Sequence, residues 1–335
     1  MKRHLARLPG ILAITAFFPV AALIVVAFWP FPIPPLPAFS GASLDKSSAD
    51  LFGAAIFPGL NPICRPTVLS HGRKTPVSYL LMHGLSNCPA QFANLGRLLH
   101  EKGSNVLIPL LPDHGQTNRL TPDYGNMTLE DLARWASEAV EAASQMGDTV
   151  VVVGLSVSGT TALWLAMQDT RVDRAVILAP FLGPTGLPIW LNAPAGRLLA
   201  RLPNMFVWWD STLREANPGP PQAYPGFPTR LVGRIMVLGS ALLDEAAREV
   251  PACRDITFIT SEADTAVDIP MVREAAARLS AHPGVAVREI WFPAAEGVLH
   301  DFIDPRQPRE QTARLEPLLV QWLTGGASSS DASGL

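Results

Sequence analysis

The sequence predicts an α/β fold: a mostly parallel central sheet flanked by helices, broken once by a mainly helical insertion. Three observations predict it. From about residue 77 the chain alternates strand-like and helix-like segments, the pattern of a sheet wound with crossover helices. The strand segments are near-continuous apolar runs, as strands buried on both faces require. The alternation lapses over 181–250, a stretch too long for a plain loop in a compact domain, and then resumes.

The elements follow in order. Residues 77–82 form a short apolar run ending before Gly84. Residues 89–102 place Phe92, Leu95, Leu98 and Leu99 at helical spacing. Residues 105–111 are apolar and stop at Pro112. Residues 129–145 read as an amphipathic helix with Thr128 as N-cap and Asp131 at the third helical position. Residues 149–153 are a β-branched run, 160–168 a helix and 172–178 a strand. The stretch 181–250 is rich in proline and carries Trp190, Phe206, Trp208 and Trp209. It reads as a mostly helical lid, with a purely structural excursion as the alternative. Strand 256–260, helix 272–279, strand 285–291 and helix 309–323 close the domain, and 325–335 is a small, polar tail. The expected organisation is therefore an N-terminal segment over 1–40, a core over 41–180 and 251–324, and the insertion between.

The N-terminal segment reads as a membrane signal. Lys2, Arg3, His4 and Arg7 precede 11–29, a run with no charge and one hydroxyl, Thr15. A helix of roughly 20 apolar residues spans a bilayer, and the positive flank stays in the cytoplasm. An uncleaved anchor, a cleaved signal and a buried helix are the three readings. An anchor leaves the domain on the non-cytoplasmic side; a cleaved signal leaves it secreted or periplasmic. The proline-rich stretch 30–37 cannot be helix and reads as an extended spacer lifting the domain off the membrane.

Composition narrows the function classes. Of 335 residues, 48% are hydrophobic and 16% charged, with a net charge of −3. This is globular, and no basic surface marks a nucleic-acid partner. Cys64, Cys88 and Cys253 form no C-x-x-C pair, so no metal site is expected. Cys64 and Cys88 form a disulfide if the domain lies outside the cytoplasm; three separate thiols are the alternative. No phosphate-binding loop or zinc-protease motif occurs, so no cofactor is expected.

The chemistry centres on 149–159, four valines followed by Gly154-Leu-Ser156-Val-Ser158-Gly159. A serine on a sharp strand-to-helix turn is projected clear of the sheet. Small residues two before and two after it relieve crowding there. Ser158 stands where G-x-S-x-G has its second glycine; it is still small. The following helix aims N–H groups at developing negative charge. Ser156 is the candidate nucleophile. Ser158 is its rival, placed inside the helix.

The chain resembles α/β-hydrolases of the monoacylglycerol lipase, carboxylesterase and serine aminopeptidase group over about 77–323. The likeness rests on 81–85 (LMHGL), 111–115 (LPDHG), the serine turn, 261–264 (SEAD) and 299–302 (LHDF). It implies an α/β-hydrolase fold with a lid and an oxyanion hole formed by the N–H groups of Leu85 and Val157. His83 and His114 then read as structural. Asp264 follows strand 256–260 by four residues and is the candidate acid, orienting the base and stabilising its charged form; Asp268 is the rival. His300 is the candidate base. Of seven histidines it alone combines the order Ser, Asp, His with a loop after the last strand. The resulting expectation is a serine hydrolase of carboxylic esters with an apolar or lipid-like acyl group. An amidase, peptidase or acyltransferase on the same triad is the alternative, as is a non-catalytic, membrane-tethered binding module. A dehalogenase or epoxide hydrolase would carry aspartate at position 156.

Overall fold

The computed structural model describes residues 22–37, 57–209 and 220–325. In chain order the first half of the core comprises β1 (Thr67–Leu69), β2 (Thr75–Met82), α1 (Ala93–Glu101), β3 (Asn105–Ile108), α2 (Leu129–Met146), β4 (Gly147–Leu155), α3 (Val157–Gln168) and β5 (Arg174–Leu178). The insertion contributes α4 (Ile189–Arg201), β6 (Phe206–Trp208), β7 (Gly226–Pro228) and α5 (Thr229–Ala246). The core resumes with β8 (Asp255–Ser261), α6 (Ile269–Ser280), β9 (Ala286–Phe292) and α7 (Thr312–Thr324).

Seven strands form one sheet in the order β1-β3-β2-β4-β5-β8-β9. Every pairing is parallel except β1 with β3. Side chains alternate between the two faces. Val150 and Val152 of β4 and Leu80 and Met82 of β2 join the core under α2, α3, α5 and α6. Val151 and Val153 of β4 and Tyr79 and Leu81 of β2 join the core under α1 and α7. The strand period of two thus feeds two cores from one apolar run. The Thr128–Asp131 cap of α2 is reciprocal: each side chain accepts the other's backbone N–H, at 3.0 and 3.1 Å.

Several boundaries differ from expectation for local reasons. β3 stops at Ile108 because Pro109 has no N–H to continue the ladder. Arg309 has φ 58°, which no helix accepts, so α7 starts at Thr312. β1 escaped the sequence reading because it is only three half-buried residues.

The insertion is mainly helical, with a two-stranded β6–β7 ribbon. α4 and α5 cross closely at Gly196 and Gly233, where a Cβ on either would lie 2.7 Å from the other's carbonyl oxygen. α5 is no peripheral flap: Leu231, Ile235, Leu238 and Leu242 are buried in the same core as α3 and α6.

The proline-rich stretch also departs from expectation. Phe31, Ile33 and Leu36 pack on the core instead of projecting from it. The Leu36 N–H donates to Gln168 Oε1 at 3.3 Å, and Ser137 Oγ donates to the Pro37 carbonyl at 3.3 Å. Arg201 of α4 donates to the carbonyls of Val26, Trp29 and Pro30. Most of the expected membrane run, residues 11–21, lies outside the described residues, as do 210–219 and the tail after Gly325. Among the described residues no helix is long and apolar enough to cross a membrane.

Candidate active site

Ser156 occupies the turn between β4 and α3 with φ 61° and ψ −117°. A side chain in that region is strained and persists only where its surroundings dictate it. The backbone dictates it here. The Ser156 N–H donates to the Leu178 carbonyl at 2.9 Å, and its carbonyl accepts from Thr160 and Phe181 at 3.0 Å each. Gly154 has no room for a side chain, since a Cβ would collide with the Ser158 carbonyl. Gly159 is similarly confined, since a Cβ there would lie 2.9 Å from the Leu178 carbonyl oxygen. Ser158 is tolerated because it is buried and its hydroxyl donates to the His83 carbonyl at 2.5 Å. That bond ties the serine turn to the loop after β2.

The loop after β2 passes beside the serine. A Cβ on Gly84 would lie 3.6 Å from that of Ser156. The Gly84 N–H is taken by Gln91 Oε1 at 2.8 Å, which leaves Leu85 as the next donor along the loop. Val157, the first residue of α3, has no intrahelical acceptor for its N–H. His83 is buried beneath this loop. Its Nε2 accepts the Leu111 N–H at 3.0 Å, so Nδ1 carries the proton and donates to the Gly84 carbonyl at 2.9 Å. Burial, with the neighbouring His114, pushes the His83 imidazole down to about 3, a neutral, structural histidine. Burial pushes His114 down to about 4, and its Nε2 faces the Leu85 carbonyl at 2.8 Å.

Asp264 and His300 meet past the ends of β8 and β9. His300 Nδ1 donates to Asp264 Oδ2 at 2.7 Å. The Asp264 side chain is fully buried, and its Oδ1 accepts the Ala266 N–H at 2.8 Å. Burial disfavours the His300 imidazolium, but the charge and hydrogen bond of Asp264, with Asp301 beside it, carry the imidazole above its ordinary value. The His300 side chain is one-quarter exposed. Asp268 is spent on capping: its Oδ1 accepts the Met271 N–H at the start of α6. Because β4, β8 and β9 run parallel, Ser156, Asp264 and His300 all emerge at the same carboxyl edge of the sheet.

A second polar group adjoins them. Asp301 and Asp304 are both reached by Asn87 Nδ2, at 3.1 and 2.9 Å. Gln307 donates to Asp301 at 2.7 Å and Gln222 of the insertion to Asp304 at 2.9 Å. Burial, with Asp304 next to it, pushes Asp301 up to about 6. Sequence reasoning missed this group. The only signal was polar residues in two loops that the motifs already assign to one sheet edge. A disulfide pairs Cys64 with Cys88, anchoring the same loop after β2.

A parallel sheet presenting a strained serine, an imidazole and a buried carboxylate along one edge is the architecture of the α/β-hydrolases. The chain belongs to the alpha/beta hydrolase family, whose profile matches residues 79–323. A thermostable monoacylglycerol lipase of Bacillus sp. (strain H-257) is 29% identical over 128 residues, 35% of this chain and 50% of that protein. An AB hydrolase superfamily protein of Gibberella zeae is 28% identical over 144 residues, 41% of this chain and 49% of that protein. The match thus spans about half the length of these curated relatives. Among solved structures, a monoacylglycerol lipase of Paleococcus ferrophilus shares the fold with a TM-score of 0.59 at 16% identity, over 77% of this chain and 97% of that one. A soluble variant of the Saccharomyces cerevisiae monoglyceride lipase gives 0.55 at 14% identity, over 77% and 90%.

Proposed function

We propose that this protein is a serine hydrolase of carboxylic esters with apolar, lipid-like acyl groups. The observation that carries the reading is the 2.7 Å bond from His300 Nδ1 to the buried Asp264 carboxylate, at the edge where Ser156 is held in a strained turn. With Nδ1 engaged, Nε2 of His300 takes the proton as Ser156 Oγ attacks the ester carbonyl. The N–H groups of Leu85 and Val157 hold the oxyanion, each contributing about 3–4 kcal/mol in the transition state. The intermediate collapses, the alcohol leaves with the proton from His300, and the acyl group stays on Ser156. Water, deprotonated by His300, then releases the acid and restores the serine.

The apolar preference rests on the insertion, which exposes Ile189, Trp190, Met205, Val207 and Trp209, and on the relatives named as monoacylglycerol lipases. We read residues 181–250 as the lid over the acyl pocket and 41–180 with 251–324 as the catalytic core. We read the N-terminal apolar run as an anchor or a cleaved signal, either of which would put the domain on the non-cytoplasmic side of a membrane. The Cys64–Cys88 disulfide fits such an oxidising compartment.

The test is hydrolysis of aryl esters from acetyl to long acyl, of a 1-monoacylglycerol and of matched anilides, by the full chain. The expected result is ester turnover that favours the longer acyl chains and vanishes in Ser156→Ala. Turnover of anilides without esters, or equal activity in the Ala variant, contradicts the proposal.

A further inference from the structure

We propose that Asn87 is a positioning residue that locks the turn carrying the Leu85 N–H to the loop carrying His300. The inference rests on the hydrolase reading of Ser156 and concerns how its site is held. The Asn87 N–H donates to the Gly84 carbonyl at 3.1 Å, closing a four-residue turn with Leu85 and Ser86 at its centre. The Gly84–Leu85 peptide is trans, so its N–H points away from its carbonyl. That carbonyl is pinned by the Asn87 N–H and by His83 Nδ1, the latter at 2.9 Å. The direction of the Leu85 N–H is fixed with it.

The side chain of Asn87 ties this turn to the far loop. It belongs to a residue only 2% exposed. Its Oδ1 accepts the Cys88 N–H at 2.9 Å, which settles the orientation of the amide and leaves Nδ2 with two protons to place. Nδ2 has two carboxylate partners, Asp301 Oδ2 at 3.1 Å and Asp304 Oδ2 at 2.9 Å. Asp301 directly follows His300. Asp304 is fully buried and takes a further bond from Gln222 of the insertion. The insertion grips the turn itself as well, because the Tyr224 N–H donates to the Ser86 carbonyl at 2.7 Å. One amide thus joins the donor turn, the base loop and a fixed point of the insertion. Asn87 acts through the groups it holds. It keeps base and oxyanion donor in one register, which matters because a misplacement of about 1 Å costs on the order of 100-fold in rate.

Three variants test this. Asn87→Ala removes both bonds to the far loop. It is expected to fold, because Arg306 still joins the two loops: its Nη1 donates to the Ala90 carbonyl and its N–H to Asp304 Oδ1, at 3.0 Å each. Asn87→Asp keeps an acceptor for the Cys88 N–H but sets a third carboxylate against the other two. In Asn87→Asp with Asp304→Asn, the bond returns with its direction reversed. The amide at position 304 donates to the carboxylate at position 87, and its oxygen keeps the Arg306 N–H. Its second proton meets Gln222 Oε1, a buried atom with no partner in the wild type, once that amide turns over. The readouts are kcat and KM for a short-acyl ester on the plateau of the pH profile. A third readout is affinity for a trifluoromethyl ketone, whose adduct oxygen sits where the oxyanion forms.

Each single variant is expected to lose roughly 10- to 100-fold in kcat and a similar factor in ketone affinity, with KM within about threefold. The double variant is expected to recover to within about tenfold of wild type. A folded Asn87→Ala with full kcat, a loss confined to KM or Tm, or a folded double variant no better than Asn87→Asp overturns the proposal. Should Asn87→Ala fail to fold, the double variant decides. Failure of the hydrolase reading is distinguishable, because it appears in wild type and Ser156→Ala before position 87 is changed.

Discussion

The serine turn and the loops facing it are held by different means. Ser156 is fixed by backbone: its own N–H and carbonyl bonds, and the crowding that excludes a side chain at Gly154. The oxyanion loop and the His300 loop are fixed by side chains: Gln91 accepts the Gly84 N–H, Asn87 and Gln307 donate to the Asp301 carboxylate, and Asn87 donates also to that of Asp304. The first device is local and sterically stiff. The second spans more than two hundred residues of sequence and depends on desolvated polar groups being satisfied. The difference teaches that the strained nucleophile can be preset by the chain's geometry, whereas the relative placement of base and donors must be built by tertiary contacts.

The largest effect should come from the side-chain half. Asp264→Asn keeps the shape but misplaces the proton on His300, and should lower kcat by about 10⁴-fold with little change in Tm; steady-state kinetics on a short ester check it. A loss under about tenfold would mean that backbone, and not the carboxylate, orients the base. Next is Gly154→Ala on the backbone half. Its Cβ collides with main chain that cannot yield, so a stability loss of more than about 3 kcal/mol is expected in denaturant titration. A loss below about 1 kcal/mol would break the claim that sterics hold the turn.

Ser158→Ala sits where the two devices touch. It leaves the buried His83 carbonyl without its donor and should cost about 1–3 kcal/mol in stability, with kcat within about threefold. The smallest effect is in the pH profile. The folded pKa of His300 is raised, and the base must be neutral to act. The acid limb of kcat/KM should therefore rise through a midpoint above the ordinary histidine value of about 6.5. For stability the sign is opposite: the His300–Asp264 contribution is full below the unfolded pKa and fades as pH rises through the folded one. A midpoint below the ordinary value would mean that burial, not Asp264, sets the base.

This contrast also explains what the sequence made legible. The valine run, Gly154 and the order of Ser156, Asp264 and His300 are local signals, and the strand positions around them follow from short-range rules. The links from Asn87 to Asp301 and Asp304 carry no periodicity and no motif. They become visible only when two loops far apart in sequence are brought together. The docking of residues 31–37 on the core was hidden similarly, since its polar partners, Ser137 and Gln168, lie on α2 and α3. Proline content announced an extended chain but not what it lies against.

The most direct test of the account is to react the full-length protein with a fluorophosphonate and find the modified residue by peptide mass. A single adduct is expected on Ser156, absent in Ser156→Ala and formed far more slowly in His300→Ala. An adduct on another residue, or labelling undiminished in Ser156→Ala, would contradict it.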